Sequence, residues 1–359
     1  EIYTLSLHDA LPISPIRWMN PFQLRFYTQP HVDIRQSLNQ YSVIINNLKR
    51  LAAILASGYI LVYFSEHLFW AHIRPGDNWG EWVMVWLAYS LTGYLFLSTV
   101  ALFRVRSFWG IFLAGALFGW LTEGVIVQTV YEDLPLSISF TGLGWHALLS
   151  VCVGWYALRG AIQRSVWHAA RLSSLIGLIY GVWAISWWVE PEEMVTAPWA
   201  FFQFSLVATI FVVLAYWVLD ATLPAHWKPT KGSVISAAGL ILLYFLIVAV
   251  PAVPISALIL PILIASVLFP LVRNRNTSAP GSLLETACHP LPILRYLPLL
   301  LIPVLATGFY SLAFFLEWRV PTNWMLYAIV TPAGFILWVI AMIKLWRKNP
   351  AEKKAIISS

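Results

Sequence analysis

Apolar stretches of about 18 or more residues recur along the whole of this chain. As a helix, each is long enough to cross the ~30 Å hydrocarbon core of a bilayer, because an α-helix rises ~1.5 Å per residue. The composition agrees, since 60% of the 359 residues are hydrophobic and 11% are charged. Soluble domains are about a quarter charged. The sequence therefore predicts an all-α, polytopic transmembrane helix bundle.

Ten spans are predicted, with both termini in the cytoplasm. They lie at 51–70, 82–103, 107–131, 139–158, 172–189, 198–219, 233–250, 254–272, 296–316 and 324–346. The seventh and eighth are joined by the sequence Val-Pro-Ala-Val-Pro at 250–254, and proline interrupts helices. The segment 233–272 is thus either two full spans or a re-entrant hairpin, and both return the chain to the same side.

The positions of the charged residues predict the orientation. With the N-terminus inside, 20 of the 22 Lys and Arg residues lie on the inner side, and only Arg74 and Arg319 lie outside. This follows the positive-inside rule, and Trp residues at the predicted outer ends fit an aromatic belt. Acidic residues show the opposite bias, at Glu66, Asp77, Glu81, Glu123, Glu132, Asp133, Glu190, Glu192, Glu193 and Glu317.

The net charge of +6 is therefore a topology signal, and no nucleic-acid partner is predicted. The expected partner is the lipid bilayer, and the expected location is the bacterial inner (plasma) membrane. Cys152 falls inside a span and Cys288 in a predicted cytoplasmic loop, so no disulfide is expected.

The first thirteen residues, EIYTLSLHDALPI, match the translation of a common short-read sequencing adapter. A signal sequence is the alternative, but the segment lacks a basic n-region and a usable apolar h-region. We therefore expect that residues 1–13 do not belong to the natural protein and that its own N-terminus is missing.

Residues 14–50 are predicted to form a cytoplasmic segment that contains an amphipathic helix at 30–48. Apolar residues recur there at helical spacing, which favours a helix on the inner leaflet; a cytoplasmic helix packed on the bundle is the alternative. The transmembrane domain is expected at 51–346, followed by a basic cytoplasmic tail at 347–359.

Two ionisable residues lie well inside predicted spans. Such groups cost ~2.5–3.5 kcal/mol on insertion scales, so each needs a compensating partner or function. Glu123 in the third span and His146 in the fourth lie at similar depths below the outer ends. Small residues share their faces and permit close helix packing: Gly115 and Gly119 with Glu123, and Ser150 and Gly154 with His146. We predict that Glu123 and His146 meet inside the bundle.

The role of this pair has three interpretations. It is a structural hydrogen bond, a proton-relay or ion-coupling site, or a general acid/base pair. Glu66, His67 and Gln128 are further members of the candidate polar site, although an interfacial role is the alternative for them. The acidic outer loop from Glu190 to Glu193 is interpreted as solvated charge.

No phosphate loop, GxSxG elbow, HExxH, dinucleotide fingerprint or CxxC motif is present in the sequence. No cofactor or metal is therefore predicted, and no family resemblance is apparent. The leading hypothesis is a transporter or permease for a small solute, with an outward-facing polar cavity. The alternatives are a membrane-embedded enzyme acting on a lipid-linked or periplasmic substrate, and a non-catalytic scaffold.

A structure distinguishes these hypotheses by the cavities that it contains. A cavity that reaches mid-membrane favours transport, whereas a lateral opening beside clustered carboxylates favours an enzyme. A filled bundle favours a scaffold.

Overall fold

A computed structural model describes residues 34–74, 76–190, 195–223, 227–275, 282–286 and 290–346, without the side chains of 34–40 and 285–286. The segments expected to be adapter-derived (1–13) and a basic tail (347–359) lie outside these residues. The chain forms two compact units, Glu1–Ile44 and Ile45–Ser359. Of the first unit, only helical residues from Ile34 onward are described.

Ten helices in the described part of the chain are long and apolar enough to cross a membrane. They are α1 (Tyr41–Trp70), α2 (Trp79–Leu102), α3 (Phe108–Ile126), α4 (Ile138–Arg164), α5 (Val166–Val189), α6 (Pro198–Thr222), α7 (Lys231–Ala252), α8 (Ser256–Arg273), α9 (Leu297–Phe315) and α10 (Thr322–Trp346). Each overlaps one predicted span, and the described residues contain no β-strand. The predicted all-α, multi-pass membrane architecture is confirmed.

Several helix ends differ from the predicted spans, and the lengths of α7 and α8 bear on the segment 233–272. The α-helical part of α1 already begins at Ile34, within the predicted cytoplasmic segment. Helix α3 ends at Ile126 rather than at residue 131, because Gln128 adopts a left-handed conformation with φ of 68°. Helices α7 and α8 have 22 and 18 residues, so each arm of 233–272 is long enough to cross the membrane.

Helix α3 is the centre of the bundle. Of its most apolar window 89% is buried, against 22% for α7 and for α10. It packs against α4 most extensively and also contacts α2, α8 and α10. In a lipid environment the exposed apolar faces of the outer helices need no protein cover, whereas the faces around α3 exclude lipid.

Several of these helices begin directly after a polar residue that caps their first turn. A side-chain oxygen accepts a hydrogen bond from a first-turn backbone N–H at Asn78 for α2, Ser107 for α3, Ser165 for α5 and Thr230 for α7. Pro198 opens α6, where its missing N–H costs nothing. Such caps satisfy donors that have no partner within the helix.

The orientation predicted from the basic residues is testable by cysteine labelling in a Cys288→Ser background. Ala197→Cys should react with an impermeant thiol reagent in intact cells, whereas Gly160→Cys and Gly232→Cys should react only after permeabilisation. All three positions are exposed, and a Cβ at either glycine meets no atom within 4 Å. The remaining native Cys152 is buried and should stay unlabelled. Labelling of Gly160→Cys in intact cells would reverse the orientation.

Candidate functional site

Three π-helical segments bring three ionisable residues of the bundle together. Glu66 lies in Tyr63–His67 of α1, Glu123 in Thr122–Ile126 of α3, and His146 in the π-helical part of α4, Ile138–Leu158. A π-turn accommodates an extra residue and often occurs at functional sites. Hydropathy carries no signal for it, so the sequence analysis did not anticipate these segments.

Glu123 and His146 are in direct contact, as the sequence predicts. His146 Nε2 lies 2.5 Å from Glu123 Oε1. The two residues are 7% and 2% exposed, respectively, so they are shielded from lipid. Each polar group therefore supplies the hydrogen-bonding partner that the apolar surroundings deny to the other.

Close packing between α3 and α4 permits this contact. A Cβ added at Gly119 would lie 2.4 Å from the carbonyl oxygen of Gly142 and 2.8 Å from His146 Cβ. A Cβ added at Gly115 would lie 3.0 Å from Val151 Cβ. The predicted small-residue face of α3 therefore lies against α4, whereas Gly154 and Ser150 of α4 face Phe64 and Ser65 of α1.

Two serines extend the pair into a hydrogen-bonded chain. His146 Nδ1 lies 2.9 Å from Ser65 Oγ of α1, and Ser65 Oγ lies 2.8 Å from Ser150 Oγ. Ser150 Oγ lies 3.1 Å from the backbone carbonyl oxygen of Trp145. The chain thus links α1, α3 and α4 from a carboxyl group to a backbone acceptor.

The hydrogen bonds of His146 can be satisfied in two arrangements that differ by one proton. In the first, Ser65 donates to His146 Nδ1, Ser150 donates to the carbonyl of Trp145, and His146 Nε2–H donates to the Glu123 carboxylate; Ser65 and Ser150 then share no hydrogen bond. In the second, Ser150 donates to the carbonyl of Trp145, and Ser65 donates to Ser150. Ser65 then accepts from His146 Nδ1–H, and an additional proton lies between Nε2 and Glu123. The inventory of each side chain permits both arrangements.

A second carboxyl group lies beside this chain. Glu66 accepts hydrogen bonds from the Tyr89 hydroxyl and, at 3.1 Å, from Trp70 Nε1. The Tyr89 ring packs edge-on against the His146 ring, with centroids 6.1 Å apart. Glu66 is only partly buried, unlike Glu123. The structure therefore places Glu66 next to the predicted pair, on the more accessible side.

The turn after α3 covers Glu123. The Thr129 hydroxyl in this turn donates a hydrogen bond to the second carboxylate oxygen of Glu123. Gln128 does not contact the pair; its side-chain amide donates to the carbonyl oxygens of Val125 (2.8 Å) and Ile126 (3.0 Å) at the end of α3. Burial raises the pKa of Tyr131 above its ordinary value, so its hydroxyl stays a donor to the carbonyl oxygen of Gly124.

His67 lies on a different face of α1 from Glu66. Its Nε2 is 3.3 Å from the Tyr59 hydroxyl, and its ring stacks on Trp82 with centroids 4.7 Å apart. Among the described contacts of His67, none involves Glu66, Glu123 or His146. The residues predicted to form one polar site therefore lie in two separate places. His67 lines a groove between α1, α2 and α6.

The sequence analysis did not single out a buried ion pair at the other end of α4. Arg159 Nε lies 2.7 Å from Asp220 Oδ1, and each residue is 2% exposed. Gln163 and Tyr296 both donate to Asp220 Oδ2, each at 2.8 Å. Charge counting treated Arg159 as a topology signal. The available clue was Asp220, the one acidic residue in the α6 sequence.

The remaining acidic and metal-ligating residues that the structure describes form no comparable centre. Glu190 accepts a hydrogen bond from the Asn323 side chain at 2.9 Å, and Glu192 and Glu193 lie outside the described residues. Within the described ranges, no group of three or more His, Cys, Asp or Glu side chains is arranged to hold a metal ion.

Because α3 packs closely on α4, adding one methyl group at their contact should destabilise the protein. Gly119→Ala should lower the free energy of unfolding by about 1–3 kcal/mol, because the added Cβ would overlap backbone. Gly239→Ala on α7, where a Cβ meets no atom within 4 Å, should cost nothing. Thermal unfolding in detergent measures both, and equal melting temperatures would contradict this packing.

The Glu123–His146 contact should appear as an energetic coupling. In a double-mutant cycle with Glu123→Ala and His146→Ala, we expect a coupling free energy of about 0.6 kcal/mol, and at most about 1.7 kcal/mol, as for other hydrogen bonds within membranes. Glu123→Ala with His168→Ala, at an exposed helix start, should be additive within about 0.5 kcal/mol. Unfolding in denaturing detergent measures these values, and additivity in the first cycle would contradict the contact.

No protein-family model matches this chain, and no curated protein or solved structure is significantly similar to it. The function therefore has to be inferred from the chemistry of the buried cluster. What is established is a multi-pass, all-helical membrane protein with ten helices that are long and apolar enough to span.

Proposed function

We propose that this protein is a proton-linked transporter in which Glu123 and His146 exchange the proton and Glu66 lies on the access side. One observation carries this proposal: both ring nitrogens of His146 keep a hydrogen-bonding partner with and without one additional proton, because the Ser65 hydroxyl can turn from His146 Nδ1 to Ser150. A purely structural pair needs only one such arrangement. Intramembrane acid and histidine groups are typical of proton relays.

The ion pair at the opposite end of α4 supports the proposal. A transporter has to be closed on one side of its central site while it is open on the other. Arg159 and Asp220 join α4 to α6, and both are almost fully buried. His146 and Arg159 lie roughly 20 Å apart along α4 by helical rise. In this proposal the ion pair closes the inner end while the outer cluster exchanges its proton.

The π-helical segments supply a physical basis for movement. An extra residue in a helical turn can shift along the helix at small cost, because neighbouring hydrogen bonds exchange rather than break. Glu66, Glu123 and His146 all lie in such segments. A change of proton occupancy at Glu123 would therefore act on parts of α1, α3 and α4 that are already irregular.

The proposed location is the inner (plasma) membrane, with both termini in the cytoplasm. Support comes from the distribution of Lys and Arg, of which 20 of 22 fall on one side in the ten-span arrangement. The ionisable cluster then lies in the outer half of the membrane and the Arg159–Asp220 pair in the inner half.

An enzyme remains the second candidate because of one specific observation. Glu66 is partly exposed, and Glu123 and His146 lie within the hydrogen-bonding reach that general acid/base catalysis requires. Such an enzyme would act on a lipid-linked or periplasmic substrate from the outer face. It requires no rearrangement of the inner half of α4, whereas a transporter does.

Cys152, buried on α4 between the two polar centres, reports such a rearrangement. In a Cys288→Ser background, its labelling by the permeant reagent N-ethylmaleimide should change about fivefold or more with pH, beyond the intrinsic change in thiol reactivity. Glu123→Gln should remove that additional change, since an amide does not exchange this proton. Glu81→Gln, at an exposed carboxyl group near the start of α2, should preserve it.

The ratio of labelling rates between these two variants at each pH cancels the chemistry of the reagent. A ratio that is constant with pH would contradict a proton-linked rearrangement and would favour the enzyme or the scaffold.

A further inference from the structure

A long groove lies between α1, α2 and α6, on the opposite side of α1 from the Glu123 cluster. Its volume is about 770 Å³, within the range of ~300–1,000 Å³ typical of small-molecule sites. It follows α6 from Gln203 to Val218 and α1 from His67 down to Ala52. At ~1.5 Å per residue this is roughly 22 Å, more than the ~15 Å depth of one leaflet.

The chemistry of the groove changes along its length. The inner part is lined by aliphatic and aromatic side chains, including Leu55, Phe211 and Leu214. The polar lining residues lie towards the outer end: His67, Asp77, Asn78 and Gln203. A cavity that is apolar along most of its length and polar at one end matches an amphiphile with one hydrocarbon chain.

Gln203 supplies independent evidence for a polar ligand group at this end. Its side chain is exposed on α6, and it takes part in none of the hydrogen bonds among the described residues. A hydrogen-bonding group of a ligand beside this amide would be stabilising, because a polar group without a partner in apolar surroundings is unfavourable. The stacking of His67 on Trp82 holds the imidazole at this position.

The charges at the polar end indicate what head group fits. Among the described residues that line the groove, Asp77 is the one acidic residue, and none is Lys or Arg. Asp77 Oδ1 is 3.1 Å from Arg74 Nη2, and Oδ2 accepts from the Arg74 backbone N–H at 3.0 Å. This carboxylate is therefore neutralised locally, and the groove offers hydrogen bonds rather than a net charge.

We propose that the groove binds a single-chain amphiphile with an uncharged, hydroxyl- or amide-bearing head. The hydrocarbon chain lies between α1 and α6, and the head hydrogen-bonds to Asn78 and Gln203 beside the His67 ring. This inference goes beyond proton-linked transport and does not depend on it, because none of these residues belongs to the Glu123 cluster. Bulk phospholipid is disfavoured, since no cationic side chain among the described residues lines the groove to pair with a phosphate.

The test is photolabelling with a monoacylglycerol that carries a diazirine in its chain, in phospholipid vesicles containing the purified protein. Peptide mapping should place the label on the lining parts of α1, α2 and α6. Val207→Trp, which fills the groove, should lower labelling about tenfold, equivalent to ~1.4 kcal/mol. Ile210→Trp, equally exposed on α6 but outside the groove, should leave labelling unchanged.

The head group is tested separately. Gln203→Leu removes the amide and keeps a side chain of similar size. It should lower monoacylglycerol labelling several-fold, and a diazirine fatty acid with its charged head should label the unmodified protein less. Equal labelling of Val207→Trp and Ile210→Trp, or label spread evenly over all lipid-facing helices, would overturn the proposal. Neither outcome would alter the pH dependence of Cys152 labelling. Failure of the amphiphile proposal is therefore distinguishable from failure of the transport proposal.

Discussion

A carboxyl group in apolar surroundings requires a hydrogen-bonding partner, and this requirement shapes the centre of the bundle. Glu123 meets it through His146 and Thr129, and His146 in turn through Ser65. Helices α3 and α4 have to approach closely for the first contact, so Gly119 lies against the backbone of α4. The contact with Ser65 adds α1 to the same arrangement. The most buried helix is therefore also the one that carries Glu123.

Helix α4 connects two buried polar centres of different character. Near its start, His146 belongs to a chain whose hydroxyl and imidazole protons can be rearranged. Near its end, Arg159 is held by a carboxylate that also accepts from Gln163 and Tyr296. Breaking a buried ion pair by removing one partner is strongly destabilising. In the transport proposal, the first centre gains and loses a proton, and the second holds one conformation until α4 moves.

Sequence reasoning found the Glu123–His146 contact because two observations restrict it: equal depth in consecutive spans and small residues on the same faces. It did not find Asp220, because counting basic residues assigns Arg159 to a connection and leaves its partner unexamined. It also grouped His67 with Glu66, which are neighbours in the chain. Successive residues on a helix are rotated about its axis, so their side chains entered different environments, a polar cluster and an apolar groove.

Hydropathy alone determined the class of the protein and its ten helices, because the length of an apolar run is a local property and bilayer thickness sets what length suffices. The partners of the buried groups depended on which helices are neighbours, and the order of helices around the bundle leaves no trace in hydropathy. Only the tertiary structure placed Ser65 of α1 beside His146 and Asp220 of α6 beside Arg159. The tertiary structure also determined where the groove lies, because a cavity arises from how three helices diverge rather than from the sequence of any one of them.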